Sequence, residues 1–333
     1  MWSELKLEIE LRNRLYSEFS KEIADEHWAS YINARTYILS NITKEIKGVD
    51  KGLTDHSEDH LAHVMSRAFD LIEDCLNQFS AIELYILCHV IILHDVGNIH
   101  GRKHHTKTIS TVYNSIRNND PKYSQERIVV LKIAGAHGGK TKNNDNDTIV
   151  ELDENSSVYN SIIRPRILAS ILRFADELAE GYCRTSSYLL SKQLYPVESR
   201  IYHYYASVTY VNVDKGNNRI AVTYNIDYPL SELQIEEFLS FIYRTILKLD
   251  EERRYCKYYC DYLSSLKKTE IKFNFTINGN LCDFDIPKIE LEDKYNFIDD
   301  TTPDLIDKFV QIYPSYKINS IVESLHKILT NEQ

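Results

Sequence analysis

The chain has 333 residues, of which 43% are hydrophobic and 26% are charged, a composition typical of soluble globular proteins. Its 39 basic and 49 acidic residues give a formal net charge of −10, which opposes tight, sequence-independent binding to long nucleic acid. Six cysteines are scattered along the chain, as in cytoplasmic proteins with reduced thiols, and we expect no secretory leader. The longest apolar stretch, Ala81 to Val96, includes charged residues and histidines, and we expect it to be too short and too polar to cross a bilayer. The sequence therefore predicts a soluble, cytoplasmic protein.

Apolar residues recur at helical spacing throughout the first half of the chain. Residues 1–48 predict two helices, and Ser80 is a candidate N-cap for a later helix that ends at Asp95. Gly97 would follow that helix as a left-handed C-terminal cap. Because no strand is required between residues 50 and 190, this half is predicted to be all-α. The remaining helices are predicted at about residues 54–78, 108–117, 125–137 and 163–180.

The composition changes near Ser186 to alternating β-branched and aromatic residues. Residues 202–210 and 219–226 predict two strands of a hairpin, joined by a polar turn at 214–218. The first strand contains four tyrosines, which could form an interaction face or pack half-buried on the following helix. The later elements are a helix that opens on a Ser231-x-x-Gln234 capping box and reaches about Leu263, a strand at 271–277, and one or two closing helices at 305–329.

The predicted fold is mainly α, with an all-α helical core followed by a smaller α+β unit. No internal repeat and no low-complexity tract interrupts this order. We predict N-terminal helices that pack on the core at residues 1–50, the core at 51–185, and the α+β unit at 186–333.

An adjacent His94-Asp95 pair stands at the end of an apolar run. A neutral imidazole beside a carboxylate offers ligands that suit a divalent cation. Upstream, His56, His60 and His63 fall at positions i, i+4 and i+7, on one stripe of a helix. Such a stripe could supply one ligand and one or two outer groups, or it could be the polar surface of the helix.

Further candidates follow the pair along the chain. His105 lies in a loop that must be close to the end of the preceding helix, and His104 is the competing choice. His137 ends its own helix before two glycines, where a backbone could approach a substrate closely. Asp176 lies in an otherwise apolar helix and needs an ion or a partner, for which Arg173 three residues earlier is the alternative.

The order of these residues resembles the HD-domain metal-dependent phosphohydrolases, whose pattern is His…His-Asp…Asp on an all-α core. The resemblance covers about residues 50–185. It extends to one bacterial branch with two additional histidines, as in the binuclear HD proteins. The segments that carry it are Leu53-Thr54-Asp55-His56, His60-x-x-His63-Val64, His94-Asp95, Arg102-x-x-His105 and the run Ile167 to Leu178.

The resemblance implies a metal centre and a reaction. Two divalent ions would share the carboxylate of Asp95, and a water between them would become a hydroxide that attacks phosphorus in line. These ligand types suit Mn, Fe, Co, Ni or Zn, with Mg as a further candidate, and the sequence leaves open whether one or two ions bind. The first ion would be held by His60, His94, Asp95 and Asp176, and the second by Asp95, His105 and His137.

Several cationic side chains could bind the phosphate oxygens of a substrate. Arg102, Lys103 and Lys140 are candidates, and Arg184 lies just beyond the helix that carries the last predicted ligand. Each could instead be a solvated surface charge. Asn98 stands where binuclear relatives often carry a lysine, so Lys103 is a candidate replacement for that contact.

The candidate catalytic residues are Asp95, His56, His63 and Lys103. Either histidine could protonate the leaving group, or it could hydrogen-bond a metal ligand from outside. No protein nucleophile is apparent, and none is required. The Gly-Tyr-Pro signature of the cyclic di-GMP branch is absent, which argues against that substrate.

We therefore expect a phosphohydrolase that cleaves a phosphate ester or anhydride of a nucleotide or nucleotide-like substrate. The alternatives are a cyclic-nucleotide or oligonucleotide phosphodiesterase or nuclease, and a non-catalytic, metal-bound nucleotide sensor. The expected partner is a small phosphate compound, with no membrane and no long nucleic acid. Residues 186–333 could build a homo-oligomer.

Overall fold

The computed structural model describes residues 2–49, 52, 54–55, 57–101, 105–138, 140–141, 145–230, 233–282, 286–293 and 305–331. The chain divides into two compact units. Unit 1 comprises Met1–Ala179 with Cys256–Leu263, and unit 2 comprises Glu180–Tyr255 with Ser264–Gln333. The predicted mainly-α fold, with a small sheet in the second half, is confirmed.

Unit 1 is a helical assembly around one central helix, α5, which packs against α1, α2, α4, α7 and α8. Three helices precede the core where two were predicted. In α1, Leu7, Leu11 and Leu15 fall at successive i+4 positions and are fully buried, which fixes the face that α1 turns to the core. The helices of this unit are α1 Lys6–Glu18, α2 Lys21–Asn41, α3 Thr43–Val49, α4 Glu58–Ile72, α5 Ala81–Leu93, α6 His105–Arg117, α7 Ser124–Gly135 and α8 Pro165–Leu178.

Helix α5 begins at Ser80, the predicted N-cap, and the structure adds a capping box with Glu83. The Ser80 hydroxyl accepts a bond from the Glu83 amide at 3.2 Å, and the Glu83 carboxylate accepts one from the Ser80 amide at 3.2 Å. The helical run Ala81–His100 is, by length and composition, apolar enough to cross a membrane, so the expectation that it is too short and too polar is wrong. However, 94% of its most apolar window is buried inside the protein, as in the core helix of a soluble protein.

A short β-hairpin interrupts the helices, so the expectation of no strand between residues 50 and 190 is wrong. Strands β1 Ser156–Val158 and β2 Ser161–Ile163 pair antiparallel around Tyr159 and Asn160, which have φ of 51° and 61°. Three residues per strand are too few for a period-two pattern to stand out in the sequence. The buried side chains Val158 and Ile163 and the anchored ring of Tyr159 hold the hairpin in place.

A buried carboxylate joins this hairpin to three helices of the core. Glu126 is fully buried on α7 and forms an ion pair with Arg117 of α6 at 2.6 Å. The same carboxylate accepts hydrogen bonds from three tyrosine hydroxyls at 2.6–2.9 Å. These hydroxyls belong to Tyr85, Tyr113 and Tyr159.

The other side of the Arg117 guanidinium is also occupied. It donates to the Ser30 hydroxyl of α2 at 2.7 Å and to the Nε2 atom of His89 on α5 at 2.8 Å. His89 in turn donates from Nδ1 to the Tyr85 carbonyl at 2.9 Å. We call this ion pair and its hydrogen-bond partners the Arg117–Glu126 network. The network connects α2, α5, α6, α7 and the hairpin.

Unit 2 is a mixed sheet with helices. The strand order is β3-β4-β5-β6, with β7 also paired to β5; β3 runs antiparallel to β4, whereas β4 and β5 are parallel. Tyr243 of α11 contacts Phe273 of β5 with ring centroids 6.1 Å apart, so the long helix packs on the sheet. The elements are α9 Ser187–Ser191, α10 Arg200–Val208, β3 Thr209–Asp214, β4 Arg219–Tyr228, α11 Ile235–Tyr259, β5 Lys268–Ile277, β6 Asn280–Leu281, β7 Ile289–Glu292, α12 Leu305–Ile312 and α13 Ile318–Asn331; the last turn of α11 belongs to unit 1.

The predicted strand at 202–210 is wrong, because most of it forms α10. His203 and Ala206, three residues apart, are buried on one face, while Tyr202 is 52% exposed. The spacing of the tyrosines resembles that of a strand, but the buried residues of this segment follow helical spacing. The other predicted elements of this half are confirmed: β4 and β5 contain the expected strands, and two helices close the chain. Ser231 of the proposed capping box lies outside the described residues.

Replacing Arg117 with leucine should destabilise unit 1 by about 3–5 kcal/mol, because Glu126 would remain buried without its cation. Urea denaturation measures the loss. Lys132→Leu is the matched control, since its ion pair with Asp153 is more than half exposed on both sides and should cost less than about 1 kcal/mol. An Arg117→Leu loss no larger than that of Lys132→Leu would contradict a structural role for the network.

The stability of the protein should also depend on pH through His89. Burial lowers the pKa of this imidazole from 6.5 to about 4; Glu126 opposes this shift, and Arg117 adds to it. Between these values the unfolded chain binds a proton that the native protein does not, so this contribution to stability falls as the pH falls. The difference in unfolding free energy between wild type and His89→Gln should shrink by about 2 kcal/mol from pH 7 to pH 5. A difference that stays constant over this range would contradict the assignment.

Candidate metal centre

The six residues predicted as metal ligands come together at one end of the unit 1 helices. They arrive on five different segments: α4, the turn after α5, the first residue of α6, the turn after α7, and the last turn of α8. The donor atoms of five of them form two groups that share the Asp95 carboxylate, and Asp176 lies beside the first group. The six residues are His60, His94, Asp95, His105, His137 and Asp176.

The His94-Asp95 pair follows directly on α5. The His94 side chain is fully buried, and its Nδ1 donates to the Ile91 carbonyl at 2.8 Å. A proton on Nδ1 leaves the lone pair on Nε2, which faces the neighbouring carboxylate. The hydrogen bond to the carbonyl three residues earlier thus fixes both the orientation of the His94 ring and its tautomer. This arrangement is typical of metal-binding histidines.

The first group contains four residues. His60 Nε2 lies 3.2 Å from Asp176 Oδ1 and 3.7 Å from Asp95 Oδ2. His94 Nε2 lies 3.3 Å from the same Asp95 oxygen and 3.6 Å from the same Asp176 oxygen. Two imidazole nitrogens and two carboxylate oxygens therefore face one point.

The second group lies on the other side of Asp95. Its Oδ1 atom is 3.8 Å from His105 Nε2 and 3.7 Å from His137 Nε2, and the two imidazole nitrogens are 3.3 Å apart. His137 repeats the arrangement of His94, because its Nδ1 donates to the carbonyl of Ala134 three residues earlier at 2.5 Å. The two oxygens of Asp95 are thus directed to two different sets of nitrogen donors.

These distances fit a metal ion. Nitrogen and oxygen ligands lie about 2.0–2.2 Å from a transition-metal ion, which places neighbouring ligand atoms about 3.0–3.6 Å apart. The observed separations of 3.2–3.8 Å overlap that range and extend slightly beyond it. Facing imidazole nitrogens that both carry lone pairs would repel unless a proton or a cation lay between them. The buried His and Asp groups could therefore bind a metal ion.

The charges of the first group point the same way. Burial alone would lower the pKa of His94, but Asp95 and Asp176 outweigh it and raise the pKa well above its usual value. Burial alone would raise the pKa of Asp176, but His94 and His60 outweigh it and hold the pKa well below its usual value. Two carboxylates in this pocket require positive charge beside them, which a protonated imidazole supplies in the metal-free protein and a divalent cation would supply when bound.

Gly97 does not form the predicted left-handed cap. It lies in a 3₁₀ turn, Val96–His100, that follows Asp95. The first residue of α6 packs directly against it: a Cβ atom at Gly97 would lie 1.8 Å from the His105 carbonyl oxygen. The structure therefore gives this glycine a packing role and places His105 at a helix start rather than in a loop.

Three of the predicted site residues lie outside the described part of the chain: His56, Arg102 and Lys103. The alternative ligand His104 lies outside it as well. His63 lies on α4, three residues after His60, and is partly exposed. Lys140 is exposed and follows His137 by three residues. Arg184 belongs to unit 2, where it forms an ion pair with Glu180 at 3.0 Å.

Sequence analysis missed the groups that orient the ligands. The carbonyls of Ile91 and Ala134 carry no side-chain signal, although a histidine at a helix end can reach the carbonyl three residues before it. The alternative partner of Asp176, Arg173, donates to the Asn146 carbonyl at 3.3 Å and to the Thr148 hydroxyl at 3.0 Å. Asp176 itself lies against two histidines of the first group.

The sequence profile of the HD-CE family matches residues 51–255, which is more than half of the chain. The chain belongs to the HD-CE family. The expected resemblance to HD-type domains is thereby confirmed, and the His and Asp groups of the HD-CE protein lie within the matched residues. No curated protein and no solved structure matches the chain.

Asp95→Asn should abolish binding of Mn²⁺ at micromolar concentrations, because one substitution removes a charged ligand from both groups. Isothermal titration calorimetry measures the binding. Asp145→Asn, which neutralises an exposed carboxylate of the same unit, should bind Mn²⁺ as the wild type does. If Asp95→Asn kept the wild-type affinity, the shared carboxylate would not be a ligand.

Proposed function

We propose that this HD-CE protein is a metal-dependent phosphohydrolase that acts on a phosphate ester or anhydride of a nucleotide or nucleotide-like substrate. One observation carries the proposal: Asp95 directs its two oxygens at two separate groups of imidazole donors. Membership of an HD-type family supports hydrolase chemistry. The substrate class is inferred from the ligand set and from the acidic net charge, which disfavours long nucleic acid.

The proposed ligands divide between two ions, as the two donor groups do. His60, His94, Asp95 and Asp176 would hold the first ion, and Asp95, His105 and His137 the second. When bound, Mn, Fe, Co, Ni, Zn or Mg ions would polarise a phosphoryl oxygen and would lower the pKa of a bound water.

The residues of the chain supply orientation. Hydrogen bonds from Nδ1 of His94 and His137 to backbone carbonyls hold both rings with Nε2 directed at Asp95. The two rings therefore need not rotate when metal ions bind. Burial of His60 and His94 keeps bulk water from the two imidazoles of the first group. The low dielectric there strengthens every charge interaction with a phosphoryl group.

Substrate contacts are proposed for three cationic residues of unit 1. Lys140 is exposed, three residues beyond His137, and could bind a phosphate oxygen as a flexible point charge. Arg102 and Lys103 are proposed for the same role. His56 or His63 would protonate the leaving group, for which a histidine has a suitable pKa at neutral pH.

Two alternative functions remain, a phosphodiesterase or nuclease and a sensor without turnover. A nuclease or a cyclic-nucleotide phosphodiesterase would use the same metal chemistry, but the net charge of −10 disfavours a long polyanion. A metal-bound sensor without turnover would not need a carboxylate between two donor groups. We further propose a cytoplasmic location, a small-molecule partner and no membrane, with residues 186–333 available to form a homo-oligomer.

The test is release of phosphate and nucleoside from a panel of linear and cyclic nucleotides, with Mn²⁺ present. Wild type should turn over at least one substrate, and Asp176→Asn should lose more than about 100-fold in rate, since even outer groups of metal sites cost 10–100-fold. Asp153→Asn, an exposed carboxylate on the same unit, is the control. Circular dichroism checks that each variant is folded.

Turnover by wild type and Asp153→Asn alone supports the proposal, and the best substrate identifies its class. Mn²⁺ binding without turnover by any of the three proteins favours the sensor. Equal turnover by all three would contradict a metal-dependent reaction at this site.

A further inference from the structure

We propose that Gly97 is a positioning residue for the second metal site: the missing side chain lets α6 begin against the turn after Asp95, which places His105 opposite His137. The inference rests on the proposed two-metal function and concerns what assembles its second half. No part of the HD pattern of histidines and aspartates requires this role.

The contact at Gly97 is with backbone. A Cβ atom there would lie 1.8 Å from the carbonyl oxygen of His105 and 2.6 Å from its carbonyl carbon. A flexible side chain could rotate away from such a clash, but these atoms belong to the first peptide of α6. The start of α6 and the turn that carries Gly97 must therefore separate by more than about 1 Å to reach ordinary contact distance.

A hydroxyl holds the same two segments together. Thr108 Oγ1, one turn into α6, lies 3.1 Å from the Gly97 carbonyl oxygen and 3.0 Å from the His105 carbonyl oxygen. A Cβ atom at Gly97 would also lie 2.7 Å from this hydroxyl oxygen. The glycine, the threonine and the first residue of α6 form one close junction.

Movement at this junction would displace His105 and so disturb the second group of donors. His105 Nε2 must stay near His137 Nε2, now 3.3 Å away, and near Asp95 Oδ1, now 3.8 Å away. Metal–ligand bonds tolerate displacements of about 0.2 Å, so a shift of the helix start removes this ligand. The imidazoles of the first group lie on α4 and directly after α5, and Asp176 lies on α8, so none of these three donors is carried by α6. Asp95, which both groups share, precedes the Gly97 turn and is not carried by α6 either.

A second glycine near the centre provides a matched control. Gly135 lies in α7, two residues before His137, and a Cβ atom there would meet nothing within 4 Å. Gly135→Ala adds the same methyl group next to the other ligand of the second site. It should leave both metal sites unchanged.

The experiment counts Mn²⁺ ions bound per full-length chain by calorimetric titration and by elemental analysis after dialysis. Electron paramagnetic resonance adds a second readout, because two neighbouring Mn²⁺ ions are magnetically coupled and one ion is not. Wild type and Gly135→Ala should bind two ions. Gly97→Ala should bind one uncoupled ion, with first-site affinity within about threefold of wild type.

Thr108 variants test the junction without adding bulk. Thr108→Val should weaken binding of the second ion by about tenfold, and Thr108→Ser, which keeps the hydroxyl, should restore it. These variants decide the matter if Gly97→Ala does not fold. A purely structural role would lower the melting temperature without changing the ratio of second-site to first-site affinity.

The outcomes separate the two proposals. Two coupled ions in Gly97→Ala with wild-type affinities would overturn the role of Gly97 and leave the proposed function intact. Unchanged second-site affinity in Thr108→Val would also overturn it. A wild type that binds fewer than two ions would overturn both the inference and the two-metal form of the proposed function.

Discussion

The carboxylate of Asp95 is the constraint on which the centre depends. It stands at the end of a wholly buried helix and faces four imidazoles with two oxygens. A carboxylate in such surroundings is costly to bury unless positive charge compensates it on both sides. The helices around α5 bring donors to both oxygens, and the i−3 carbonyl bonds of His94 and His137 hold those donors in one tautomer.

The helices that carry these donors are fixed at their other ends. Helix α6 runs from His105 to Arg117, about 18 Å at 1.5 Å per residue, and α7 runs back from the region of Glu126 toward His137. The Arg117–Glu126 network therefore clamps the far ends of the same pair of helices that supply the second donor group. A satisfied buried ion pair of this kind gives a unique arrangement more readily than it gives stability.

The sequence was informative about the donors because histidines and aspartates are rare in apolar helices and stand out at helical spacing. His60, His94 and Asp176 could be found in this way, and the family resemblance grouped them with His105 and His137. It gave Gly97 the wrong role, because a glycine after a helix suggests a left-handed cap, and only the structure reveals the close approach of another backbone.

Two errors about secondary structure have a common physical cause. The β1–β2 hairpin is stabilised by tertiary contacts of Tyr159, Val158 and Ile163 rather than by a local pattern. Helix α10 is rich in tyrosines, which favour strands in isolation, yet its burial of His203 and Ala206 follows helical spacing. In both places packing decided the outcome over local preference.

Anomalous diffraction from crystals grown with Mn²⁺ is the most direct measurement of the central claim. The account predicts two peaks about 3.5–4 Å apart, one on each side of the Asp95 carboxylate, with His60, His94 and Asp176 on one and His105 and His137 on the other. No peak at Asp95, or a single peak bound by residues of only one group at saturating Mn²⁺, would contradict it.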